Sequence, residues 1–145
     1  MAQRNRANRL DSVIRIAEDE EKKAFADLGK CREEIQGQEQ KLEELVEYRE
    51  EYYQDVRQPG ESAMIQRVQN RFAFLQKLEQ AIDGQRKQVS AWGEQEARLQ
   101  QVWMEKRIRC RALNKATEKR QAQQQREERQ REQKQTDSLV QNQKN

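Results

Sequence analysis

The chain has no histidine. That removes the commonest general base and metal ligand. It has only two cysteines, Cys31 and Cys110, too few for a structural zinc site. They suit small buried apolar positions in a reducing compartment. It has one proline and five glycines, so little interrupts a helix. No apolar run is long enough to cross a bilayer. The start, Met1-Ala2-Gln3-Arg4-Asn5-Arg6, has no hydrophobic stretch behind it, so no secretory signal is expected and the protein is expected in the cytoplasm. No Gly-rich phosphate loop occurs. Acidic pairs such as Glu50-Glu51 are neighbours on a helix surface, not a catalytic dyad, because two helices enclose no dry pocket. The sequence therefore predicts no enzyme, no cofactor, no metal and no small-molecule substrate.

Apolar residues are also scarce. Only 33% of residues are hydrophobic and 38% are charged, with a mean hydropathy of −1.38. This is too little for a compact globular core across 145 residues. An extended helical rod or a disordered chain remains. The dominant residues, Glu, Gln, Lys, Arg, Ala and Leu, all favour helix. The choice then rests on whether the apolar residues are periodic.

They are. Gln58-Pro59-Gly60-Glu61-Ser62 punctuates the chain, with Pro and Gly ending one helix and Ser62 fit to cap the next. The expectation is an all-α, two-helix antiparallel coiled coil over 1–135, with helices at 8–57 and 62–135, a turn at 58–61 and a disordered tail at 136–145. The first helix offers an apolar stripe at Leu10, Val13, Ala17, Ala24, Leu28, Cys31, Ile35, Leu42, Leu45, Tyr52 and Val56. The step from Ala24 to Leu28, followed by Cys31, reads as a stutter. The second offers Leu75, Leu78, Ile82, Val89, Trp92, Leu99, Trp103, Cys110 and Leu113, with Gln85, Glu96 and Lys106 filling gaps. Polar residues at such positions cost stability but fix register. A turn centred on Pro59-Gly60 places Leu45 near Leu75, Leu10 near Cys110 and Cys31 near Gln88. Cys31 and Cys110 are then too far apart for a disulfide.

Charge is segregated. Residues 18–51 hold thirteen acids and six bases, a net of −7, whereas 105–134 hold eleven bases and five acids, a net of +6. In the expected register everything beyond Leu113 overhangs. That overhang has helix-forming residues but no apolar face, so alone it is a marginal helix that orders on a partner. It reads either as a solvated tail or as an arm entering an acidic partner. Interspersed glutamates and missing aromatics argue against nucleic acid, and the absence of an apolar face argues against membrane insertion. Tyr48, Tyr52, Tyr53, Phe72 and Phe74 flank the turn. They either seal the hairpin tip or form a docking patch, since Tyr carries large area on few rotors.

The Met1-Ala2-Gln3 start, Leu42–Tyr52 (LEELVEYREEY), Phe74–Ile82 (FLQKLEQAI), Trp92, Trp103 and Arg131–Lys134 together resemble FliJ, the small coiled-coil component of the flagellar type III export apparatus. The resemblance covers nearly the whole chain. It implies a hairpin similar to the stalk of rotary ATPases, whose paired termini enter a hexameric flagellar export ATPase. It also implies contact with an FlhA-type export gate membrane protein, engagement of export chaperones and a peripheral place at the inner face of the membrane. Gate contacts carry over onto Leu45, Tyr48, Tyr52, Phe74, Leu78 and Ala81. A further family His position is Gln85 here. Ring contacts are expected at Arg111, Lys115, Lys119 and Arg120. The rivals are the equivalent stalk of a virulence injectisome and a generic structural coiled coil.

Overall fold

The computed structural model describes residues 2–57 and 65–144. The expected turn at 58–61, with Pro59-Gly60, and the Ser62 cap lie outside the described residues, as does the side chain of Val56. The rest is two helices, α1 (Ala2–Arg57) and α2 (Ile65–Lys144), packed on each other as an all-α hairpin. Both exceed their expected bounds. α1 starts at Ala2 and α2 continues through 136–144, where the sequence suggested a disordered tail. No proline or glycine follows Gly93, so nothing in the covalent chain halts the helix.

The seam alternates strictly by four and three. Along α1, buried or half-buried residues fall at Leu10, Ile14, Ala17, Glu21, Ala24, Leu28, Cys31, Ile35, Gln38, Leu42, Leu45, Arg49 and Tyr52. α2 answers with Leu75, Leu78, Ile82, Gln85, Val89, Trp92, Glu96, Leu99, Trp103, Lys106, Cys110, Leu113 and Thr117. This is an unbroken heptad series with these residues at a and d. The expected stutter is absent, because Glu21, Gln38 and Arg49 occupy seam positions that an apolar tally leaves blank. Val13, expected in the stripe, lies off the seam. It is 39% exposed, and Ile14 takes the seam instead.

Two compact units share these helices, 1–23 with 103–145 and 24–102. Within 24–102 the buried residues are Ala24, Leu28, Cys31, Leu78 and Ile82. Leu28 and Ile82 are the largest side chains fully removed from water, each worth about 1.5–3 kcal/mol. Arg32 pairs with Glu96 at 3.4 Å and Arg49 with Glu79 at 3.2 Å. Tyr53 donates to Glu79 at 3.2 Å. The Cys31 thiol lies 3.8 Å from the Trp92 carbonyl, which can accept from it. Within 1–23 and 103–145, Ala17 and Cys110 are buried. Glu20 receives Lys106 at 3.1 Å and Arg109 at 3.8 Å.

The register differs from the expected one by about one heptad. Leu10 shares a groove with Thr117 and not with Cys110, and Cys31 meets Trp92 beyond Gln88. Cross-helix side-chain pairs are made in this alignment, Gln38 with Gln85, Arg49 with Glu79 and Glu20 with Lys106.

Candidate interaction surfaces

The six residues expected at a gate contact all fall within 24–102, and the heptad puts them on one side. Leu45, Tyr52 and Leu78 are d positions, while Tyr48, Phe74 and Ala81 are g positions. In an antiparallel pair the g positions of both helices line the same flank, so Tyr48 comes against Phe74. Their ring centroids are 6.1 Å apart in an edge-on arrangement. Tyr52 reaches the same phenyl ring at 5.0 Å, tilted. Such pairs add about 0.5–1.5 kcal/mol beyond area burial. Phe74 is thus the hub, whereas the expected register had put Tyr48 beside Arg71-Phe72.

These six are not equally available. Leu78 is buried, Leu45 and Tyr52 are half-buried, and Tyr48, Phe74 and Ala81 are exposed. One edge of the cluster packs into the seam and the other faces outward. Tyr53 turns to the opposite flank, where it joins the Arg49–Glu79 pair. Phe72 lies on that flank as well, exposed beside Val68 and Ile65. Gln85, where the resemblance expects a histidine, is directed into the seam. Its amide donates to the Gln38 carbonyl at 2.9 Å and to the Gln38 side-chain oxygen at 2.7 Å, so it serves the pairing of the helices.

The four expected ring contacts belong to the other unit and split in two. Arg111, Lys115 and Lys119 are exposed and, at 100° per residue, fall within an arc of about 80° on the outer face of α2. Arg120 lies on the opposite side of the helix. It lines a groove with Arg6, Leu10, Asp11 and Thr117, and the groove extends to Gln124 and Glu127. Since α1 reaches that far, the free length of α2 begins beyond Glu127 and not at Leu113.

Electrostatics tie the seam together. The hydrogen bond and charge of Lys106, reinforced by Arg109, hold the Glu20 carboxyl below its ordinary range despite some desolvation. Burial pushes both thiols up. Nearby Glu96 adds to this at Cys31, and a hydrogen bond with Glu21 adds to it at Cys110. Both cysteines are free and buried, and as neutral thiols they are poor nucleophiles. Among the described residues no cluster of metal-ligating side chains occurs, and no helix is long and apolar enough to cross a membrane.

Sequence reasoning passed over Met104 and Ile108, two exposed apolar residues outside the seam. Their i, i+4 spacing at non-a/d positions was the available signal.

A helical hairpin closed along a heptad seam, with exposed side-chain surfaces of different chemistry, belongs to the class of coiled-coil proteins. The family model described as flagellar FliJ protein matches residues 6–145. The chain belongs to this family, which places it among the components of flagellar type III protein export. No curated protein and no solved structure matches it.

Proposed function

We propose that the chain couples a hexameric export ATPase to an FlhA-type export gate and escorts export chaperones, acting through side-chain surfaces and not by catalysis. The observation that carries this reading is the chemical difference between its two exposed surfaces. One is aromatic, built on Tyr48, Tyr52 and Phe74. The other is basic, built on Arg111, Lys115 and Lys119. An aromatic patch with few rotors suits a docking contact. A basic stripe suits steering toward an acidic partner. The gate contact falls to the aromatic face, with Ala81 exposed beside it and Leu45 and the edge of Leu78 beneath it. The ring contact falls to the basic stripe, with Arg120 contributing through the groove beside α1. The protein acts at the inner face of the membrane by association with these partners.

The test separates the surfaces. Tyr48→Ala with Tyr52→Ala is expected to weaken gate binding while leaving helicity and ATPase binding intact. Arg111→Glu with Lys115→Glu and Lys119→Glu is expected to do the reverse. If both sets weaken the same partner equally, the division of labour is wrong.

A further inference from the structure

Met104 and Ile108 are 49% and 64% exposed, although every neighbouring apolar seam residue on α2 is at least half-buried. They occupy outer positions of the heptad, so neither contributes to the α1–α2 seam. They are one turn apart and face the same way. At 100° per residue they fall within the same arc of about 80° as Arg111, Lys115 and Lys119. An apolar pair therefore runs directly into a line of cations along one face. Arg111, Lys115 and Lys119 make no ion pair among the described residues, so their charge is available to a partner. Arg107, one residue before Ile108, is instead held over the Trp103 ring at 5.3 Å.

We propose that Met104, Ile108, Arg111, Lys115 and Lys119 form one docking stripe for an acidic protein surface that carries an apolar pocket. Met104 and Ile108 seat in the pocket and the cations meet its acidic rim. This rests on the reading that the basic stripe meets the export ATPase, and it supplies that contact with its apolar anchors. Charge alone would give a fast but weak and salt-sensitive encounter. Two desolvated side chains at one end of the stripe set its register and slow its release. A lipid surface fits less well, because an interfacial helix needs an apolar face along its length, and here the face stops after two side chains. A second copy is the other protein occupant, offering the acidic run of residues 18–51.

The experiment compares three full-length proteins by titration against the purified export ATPase from the same cell, across a salt series. They are wild type, Met104→Ser with Ile108→Ser, and Arg111→Glu with Lys115→Glu. Circular dichroism first checks that all keep the same helicity and melt. The apolar variant is expected to bind at least about tenfold more weakly with an unchanged salt slope, while the charge variant binds more weakly with a flatter slope. Undiminished binding by the apolar variant overturns the stripe while leaving the ATPase reading standing. Failure of wild type to bind the ATPase overturns both. Sedimentation showing a wild-type dimer that either variant dissolves, or wild-type capture by anionic vesicles without ATPase binding, also overturns it.

Discussion

Gln85 donates its side-chain amide to Gln38 twice, at the backbone carbonyl and at the side-chain oxygen, 2.9 and 2.7 Å away. Both are d residues of the seam, and neither could find this partner if the helices slid by one heptad. Gln85→Leu should leave Gln38 partly buried without its donor and lower stability by about 1–2 kcal/mol. Gln38→Leu with Gln85→Leu should recover that loss, since an apolar pair at d is the more stable choice. A double-mutant cycle on thermal melts measures the coupling, and simple additivity would show that the two residues act independently.

Phe74 touches both tyrosine rings, whereas Tyr48 and Tyr52 each touch Phe74. Phe74→Ala is therefore expected to cost more stability than Tyr48→Ala, with the Tyr48 change staying under about 1 kcal/mol because that side chain is exposed. Chemical denaturation of the two variants compares them directly. Equal losses would mean that the rings do not act as a cluster.

Leu28 and Ile82 are 1% and 0% exposed. Either one truncated to Ala should lose about 2–5 kcal/mol, since transfer and cavity terms add. Val13→Ala, at a position the sequence stripe had included, should cost under about 1 kcal/mol. A Val13 variant as damaging as the Leu28 variant would contradict the seam.

Glu20 titrates lower in the folded chain than in the unfolded chain, chiefly because Lys106 donates to it. A depressed carboxyl contributes stability above its unfolded pKa, and loses it as pH falls through the lower folded value. Melting temperature should therefore decline in that acidic window. The decline should be shallower in Glu20→Gln, which has no carboxylate to protonate. Parallel pH profiles would remove Glu20 from the account.

The thiols shift the other way. Burial raises both above the ordinary thiol value, so the stability linked to them is intact below the unfolded pKa and lost as pH rises through the folded one. At neutral pH Cys31 and Cys110 should react with a thiol reagent far more slowly than in the denatured chain. Equal rates would mean that those parts of the seam open readily.

Much of this was legible in the sequence. Scarce apolar residues, abundant helix formers and one Pro-Gly break required two long helices folded together, and the apolar spacing marked most of the seam. Gln85, Glu96 and Lys106 were recognisable as seam positions because apolar residues bracket each at three and four. Glu21, Gln38 and Arg49 are bracketed in the same way, by Ala17 and Ala24, Ile35 and Leu42, and Leu45 and Tyr52, but a stripe counted from apolar residues alone passes over them. Arg49 shows what such a position costs. Its Nη1 reaches Glu79 while its Nε is buried without a hydrogen-bond partner in the structure.

By itself the sequence determined the helices, the hairpin and the segregation of charge, all of which follow from local propensity and the pattern of side chains. It left the register to tertiary structure, because a heptad repeat looks the same after a shift of seven residues. Cross-helix polar pairs that match in one alignment, Gln38 with Gln85, Arg49 with Glu79 and Glu20 with Lys106, made that choice within each unit. With it came the meeting of Tyr48 with Phe74, and the placement of Arg120 in the groove beside α1 while Arg111, Lys115 and Lys119 face outward.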